Sequence, residues 1–291
     1  MFFILKLFSR LPLRLLYFIA SLLKFPLQVI YRRKLVVKNL KMIFKNHSED
    51  QINQIVKDFY KGFCDVVVEI LKATTISEKE ISRRVRFVNP EIIFQAKEKS
   101  ESILFYASHQ CNWEWMALAS GANLTVPGDV IYKPLQNENA DQFIYTMRSR
   151  FGGKPISKDK AAREILRLKG KHRIIGLVAD QSPPREHVHW AHFLGVETDF
   201  YPGLVQLPYL MQAPAVFGRI TKAKRGFYEV ELIKIGEPPY EKDDFSVLQN
   251  YIRETERLIE DHPEDYLWTH NRWKHTREEN EEIINFPSSH K

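Results

Sequence analysis

Between Asp50 and Ala73 the apolar residues Ile52, Ile55, Phe59, Phe63, Val66, Val67 and Ile70 recur three and four apart. That is the spacing of one buried stripe on a helix. Further along, apolar runs at 85–88, 102–107, 129–132, 173–178, 214–220 and 227–233 have the length of strands. The run Ser102-Ile-Leu-Phe-Tyr-Ala107 is unbroken by charge, as in a strand covered on both faces. Helical patterns fall between the strands at 138–151, 159–169 and 243–261, and Trp113 to Gly121 reads as another helix with Asn112 as N-cap and Gly121 as C-cap. Gly152-Gly153, Pro183-Pro184 and Gly236 to Pro239 mark turns. Strands alternating with helices, without an internal repeat or low-complexity linker, predict one α/β domain. At 291 residues the chain is long enough to bury a sizeable core.

The first residues depart from this pattern. Met-Phe-Phe-Ile-Leu-Lys-Leu-Phe is followed by Leu11-Pro-Leu-Arg-Leu-Leu-Tyr-Phe-Ile-Ala-Ser-Leu-Leu23, apolar but studded with bases. The charge-free run Leu15 to Leu23 is shorter than the roughly 20 residues a bilayer span requires. Spanning would carry Arg14 inward at a cost of about 2.5–3.5 kcal/mol. Lys6, Arg10 and Arg14 stand four apart, and Tyr17, Ser21 and Lys24 extend that stripe. The segment 1–34 is therefore expected to be an amphipathic helix lying in a membrane surface, with a tilted span as the next alternative and a packing helix of the domain as the third. A cleaved signal peptide fits poorly, because Arg14 interrupts the apolar region. Arg32-Arg33-Lys34 favours a cytoplasmic location for the body by the positive-inside rule. Residues 35–291 would form the domain, with a helical lead-in at 35–84 and an α/β core at 85–291.

Charge agrees with this division. The net charge of +7 suggests a nucleic-acid binder until it is located. Ten of the 43 bases and none of the 36 acids lie in residues 1–48, so the remainder carries 33 bases against 36 acids. A near-neutral body without a groove-reading motif argues against nucleic acid. One basic run remains, Lys154, Lys158, Lys160, Arg163, Arg167, Lys169, Lys171 and Arg173. It reads as the solvated side of a helix, or else as a docking face for an acidic carrier protein or for phosphates. The two cysteines, Cys64 and Cys111, suit a reducing compartment. His187-Val-His-Trp-Ala-His192 puts two imidazoles on one strand face, but the third falls off it and no Cys or HExxH-type helix supports a metal site.

The run Ser108-His-Gln-Cys-Asn-Trp-Glu114 carries the candidate chemistry. His109 and Glu114 stand where a strand becomes a helix. On one continuous helix, residues five apart point roughly 140° apart; across a strand-to-helix corner they can meet. A carboxylate there would orient the imidazole as a base for a hydroxyl attacking a carbonyl. A Cys111–His109 nucleophile would need the sulfur facing the ring, and an esterase built on Ser108 lacks the Gly-x-Ser-x-Gly elbow.

The ordered segments Ser108-His-Gln-Cys-Asn-Trp-Glu114, Ile131-Tyr-Lys-Pro134, Met147-Arg-Ser-Arg150 with Phe151-Gly152, Val178-Ala-Asp-Gln181, Trp190-Ala-His-Phe-Leu194 and Tyr266-Leu-Trp-Thr-His-Asn-Arg-Trp-Lys274 span nearly the whole chain. In them the chain resembles the bacterial lipid A biosynthesis (lauroyl/myristoyl) acyltransferases of the lysophospholipid acyltransferase superfamily. The resemblance implies one acyltransferase-type domain with a mixed central sheet flanked by helices. It implies His109 as general base, Glu114 as its orienting acid, and Arg148, Arg150, Asp180 and Gln181 as substrate-binding residues. No metal or cofactor is implied. Acyl carrier protein or acyl-coenzyme A would be the donor, and a hydroxyl of a membrane lipid, foremost a lipid A precursor, the acceptor. The alternatives are another glycolipid, an aminolipid or lysophospholipid as acceptor, or a catalytically silent lipid-binding or scaffold protein.

Overall fold

The computed structural model describes residues 2–99, 101–124, 126, 128–168, 170–186 and 188–286. Two apolar helices come first, α1 (Phe2–Ser9) and α2 (Leu13–Ile30), then α3 (Arg33–Ile43) and the long α4 (Glu49–Lys72). Helix α4 starts at a capping box: the Ser48 hydroxyl accepts from the Gln51 amide, and the Gln51 side chain accepts from the Ser48 amide. Then follow α5 (Glu78–Arg84), β1 (Val85–Phe87), α6 (Glu91–Glu98), β2 (Ile103–Ala107), α7 (Trp113–Asn123), β3 (Gly128–Tyr132) and α8 (Glu138–Arg148). Next come β4 (Lys154–Ser157), α9 (Lys158–Leu168), β5 (Ile174–Val178), β6 (His189–Phe193), β7 (Val196–Phe200) and α10 (Gly203–Met211). The chain closes with β8 (Ala215–Lys224), β9 (Phe227–Gly236), α11 (Ser246–Asp261) and the short β10 (Ile283–Ile284).

Seven strands form one sheet in the order β1-β9-β8-β2-β5-β3-β4. Only β8 and β9 pair antiparallel; the other neighbours are parallel. The expected mixed central sheet is thus observed. Strands β10, β6 and β7 make a separate three-stranded sheet. The central strands explain their own unbroken hydrophobicity. In β2, Leu104 and Tyr106 face one buried cluster while Ile103, Phe105 and Ala107 face another. Ile175 and Ile174 of β5 divide the same way, as do Phe217 and Val216 of β8. Alternate side chains enter opposite cores, so every position must be apolar. Helices α3, α10 and α11 cover one face and α5, α6 and α7 the other, while α4 feeds both, Ile52, Val56 and Phe59 into the first and Cys64 and Val68 into the second.

The strands expected at 85–88, 102–107, 129–132, 173–178, 214–220 and 227–233 correspond to β1, β2, β3, β5, β8 and β9. The strand geometry considered for 187–192 corresponds to β6, whereas β4, β7 and β10 carry no such expectation. Two local expectations need correction. Helix α7 runs past Gly121 to Asn123, with Leu124 closing it. Gly121 is there for space: a Cβ would stand 2.5 Å from the Phe151 carbonyl oxygen. The stripe Lys6, Arg10, Arg14 is not continuous either, because the chain breaks between α1 and α2 at Arg10 to Pro12.

Helix α2 is long and apolar enough to cross a membrane by length and composition, yet it lies against the domain. Leu13, Leu16 and Ala20 are buried in the second core. Arg225, in the β8–β9 turn, donates to the Tyr17 carbonyl and the Ser21 hydroxyl, packs over the Tyr17 ring at 4.6 Å and forms a bidentate pair with Asp65 of α4. The opposite face leaves Leu15, Phe18, Leu22, Leu23, Phe25 and Val29 exposed.

Candidate functional site

Strands β2 and β5 are adjacent and parallel, so the residues that follow them emerge at the same sheet edge. Such carboxyl-terminal edges are where open α/β sheets bind their ligands. After β2 comes His109, with a side chain 15% exposed; after β5 comes Asp180, 2% exposed. The His109 Nδ1 stands 2.7 Å from Asp180 Oδ1, and the His109 backbone N–H donates to Asp180 Oδ2 at 3.0 Å. With both oxygens engaged by one residue, the carboxylate fixes ring and backbone together. An Nδ1–H given to Asp180 leaves Nε2 as the free base, and Nε2 lies 3.2 Å from the Gln181 side-chain nitrogen. Burial pushes the Asp180 carboxyl up, but the neighbouring imidazole and the hydrogen bonds the carboxyl accepts outweigh it and hold the group below the ordinary carboxylate range.

The loop carrying His109 is fastened from its far side. Leu267 N–H donates to the His109 carbonyl at 3.0 Å, Gln110 and Tyr266 form an antiparallel bridge, and Cys111 N–H donates to the Asp265 carbonyl at 2.9 Å. The Gln110 amide donates to the His262 carbonyl at 2.9 Å. Residues 265–267 thus act as an extra strand beside the corner. Cys111 takes φ 49° to make the turn, and Asn112 caps α7 by accepting from the Trp115 amide at 2.9 Å.

Glu114 is buried at the start of α7, but its carboxylate meets Arg148 at the end of α8 (Nε to Oε2, 2.9 Å) and the Trp113 indole N–H (3.2 Å). The contact to the imidazole expected of Glu114 is made by Asp180 instead. The corner turns the first turn of α7 toward α8, while Asp180 arrives on the neighbouring strand. Glu114 stays next to the ring through Trp113, whose ring meets His109 edge-on at 4.8 Å. Arg148 also lies over the Tyr132 ring at 5.5 Å, at the end of β3. His109, Glu114, Arg148, Asp180 and Gln181 are therefore one connected group. Arg150 points elsewhere: its guanidinium donates to the carbonyls of Ala73 and Ile76 and closes the end of α4.

The competing chemistries find no support in the geometry. Burial, with Asp265 beside it, pushes the Cys111 thiol well up, which disfavours a thiolate. The Ser108 hydroxyl is buried and hydrogen-bonds to no described residue. Among the described residues no cluster of His, Cys, Asp and Glu is arranged to hold a metal. His189 packs on Phe245 at 5.3 Å, and His187 lies outside the described residues. In the basic run, Lys154 and Arg167 meet Glu164, Lys158 meets Asp159, and Arg173 is bound to the buried Asp129; Lys169 lies outside the described residues.

Two features carry no role in the sequence reading, although His270 lies within the Tyr266 to Lys274 segment. His270 accepts the Ser182 N–H at 3.1 Å, and burial lowers its pKa to about 4, so it is neutral beside the site. A shallow, mainly apolar crevice opens between α4 and the 264–267 segment, lined by Phe59, Phe63, Val66, Cys111, Trp113 and Leu267, with Glu264 and Asp265 at the same place.

Comparison with known proteins places the sequence among named relatives. The family model described as bacterial lipid A biosynthesis acyltransferase matches residues 1–275. A lipid A biosynthesis acyltransferase of Haemophilus influenzae is 26% identical over 235 residues, covering 79% of this chain and 72% of the relative. The lipid A biosynthesis myristoyltransferase of Escherichia coli is 20% identical over 241 residues, covering 81% and 73%. Lipid A biosynthesis acyltransferase 2 of Shigella flexneri is 20% identical over 259 residues, covering 86% and 79%.

Proposed function

Because this chain belongs to the bacterial lipid A biosynthesis acyltransferase family, we propose that it moves a fatty acyl chain from an acyl thioester to a hydroxyl of a lipid A precursor. The observation that carries the mechanism is the His109–Asp180 pair. His109 Nε2 takes the proton of the acceptor hydroxyl, and the freed oxygen attacks the thioester carbonyl carbon. Asp180 holds the ring in the tautomer that leaves Nε2 unprotonated and stabilises the imidazolium that forms. The tetrahedral intermediate collapses with cleavage of the C–S bond. The imidazolium proton passes to the departing sulfur, and the base is restored without a covalent acyl-enzyme. Gln181 occupies the hydrogen-bond position on Nε2 that the acceptor hydroxyl needs, so it marks the acceptor's place. Glu114 and Arg148, as an ion pair, set the α7–α8 wall and place Trp113 against the ring. The crevice beside Trp113 is the apolar surface suited to the first carbons of the acyl chain.

The donor is acyl carrier protein or coenzyme A thioester. The basic α9 favours the acidic carrier by charge complementarity. The apolar outer face of α2 seats the protein in the cytoplasmic face of the inner membrane, in plane, since its Tyr17 side is tied to the body. The test is thiol release from each donor by purified protein, with and without the lipid acceptor. Thiol release that requires acceptor, together with an acylated lipid product, supports a transferase. Free fatty acid released without acceptor would make the protein an esterase and refute the reading.

A further inference from the structure

Glu69 of α4 is fully buried and has no part in the chemistry described above. Its carboxylate collects three donors from three different elements. The Tyr17 hydroxyl of α2 donates to Oε1 at 2.6 Å. The Asn112 side-chain amide donates to Oε2 at 2.7 Å, as does the Tyr228 hydroxyl of β9. The Glu69 carbonyl accepts the Trp115 indole N–H at 2.8 Å. Asn112 in turn caps α7 through its Oδ1, three residues beyond His109. Burial pushes the Glu69 carboxyl up, against the pull of these hydrogen bonds. A buried carboxyl is costly unless such partners satisfy it, so losing one of them disturbs the others. One carboxylate thus joins the helix with the exposed apolar face to the corner that carries the base.

We propose that Glu69 is a positioning residue that couples the seating of α2 to the His109 corner, through the chain Tyr17–Glu69–Asn112. When α2 is held at a lipid surface, Tyr17 holds Glu69, and Glu69 holds the cap from which Trp113 and Glu114 project. The kinetic consequence rests on the acyl-transfer reading; the structural one does not.

The experiment uses the full-length protein and hydrogen exchange at the amides of residues 113–116, with and without vesicles of phosphatidylethanolamine and phosphatidylglycerol. In the wild type, vesicles slow exchange there. Tyr17→Phe still binds vesicles but exchanges about tenfold faster and no longer responds to them, the size expected for losing one buried hydrogen bond. Tyr228→Phe removes a donor from the same carboxylate without touching α2, and it keeps the vesicle response. With thioester and lipid acceptor, Tyr17→Phe lowers kcat and leaves KM unchanged. Glu69→Gln reproduces the loss, and the double variant is no worse than Glu69→Gln alone; should Glu69→Gln not fold, Tyr17→Phe decides. Wild-type exchange at 113–116 in Tyr17→Phe, or an equal loss in Tyr228→Phe, overturns the proposal. A wild type that transfers no acyl group refutes the proposed function instead and leaves the exchange result intact.

Discussion

At the scale of residues, two carboxylates lie near one imidazole and have different partners. Asp180 touches the ring and Glu114 does not. Asp180→Asn should therefore leave the fold intact but lower kcat by about 10²–10⁴-fold, because the ring loses its tautomer. Glu114→Gln should instead weaken the hold on Arg148 and lower stability, while the His109 tautomer stays as Asp180 sets it. Steady-state kinetics and denaturant unfolding on both variants check the division, and a Glu114→Gln variant with full stability and no turnover would reverse it. The His109 and Glu114 motif was legible because both lie within one seven-residue run. The His109–Asp180 contact was not, since 71 residues separate the partners and only the parallel pairing of β2 with β5 brings them together. Arg148 and Arg150 stand in one sequence block, yet they lie at the end of α8 and in the turn beyond it and face different elements, Glu114 for the first and the Ala73 and Ile76 carbonyls for the second.

His270 adds a pH dependence. Its folded pKa of about 4 lies below the ordinary imidazole value of 6.5. As pH falls from about 6.5 to about 4, the unfolded chain takes up a proton that folded His270 refuses, so stability drops across that window. Above it, His270 contributes no pH dependence. Urea unfolding at pH 7 and pH 5 should show the drop in the wild type and a smaller one in His270→Gln; equal drops would exclude His270 as the cause.

At the scale of elements, α2 is the part whose outward chemistry exceeds what the fold requires. Phe18, Leu22 and Phe25 are 58%, 62% and 74% exposed on a helix whose other face is bonded to the domain. Burying a Phe or Leu side chain is worth about 1.5–3 kcal/mol, so Phe18→Asp with Leu22→Asp should reduce vesicle binding more than tenfold without lowering the unfolding midpoint. Unchanged binding would remove α2 as the membrane contact. The apolar character of this segment was plain in the sequence; the polar ties of Tyr17 and Ser21 were not, because their partners sit far along the chain at Glu69 and Arg225. Strands followed a similar rule. Those of the doubly covered sheet announced themselves as apolar runs, whereas β4, with Pro155 at its second position, and β6, with two histidines, carry mixed side chains that suit an edge or a small separate sheet.

At the scale of the whole molecule, a sheet with both faces covered brings His109, Asp180 and Gln181 to one edge, and α4 connects that edge to the apolar α2. The central claim is that this edge transfers an acyl chain to a lipid. Lipid mass spectrometry on cells lacking the gene, complemented with wild type, His109→Ala or Asp180→Asn, tests it most directly. One glycolipid is expected to lose one acyl mass in the deletion, with wild type restoring it and neither variant doing so fully. Restoration by His109→Ala equal to wild type, or a deletion that changes no lipid, would contradict it.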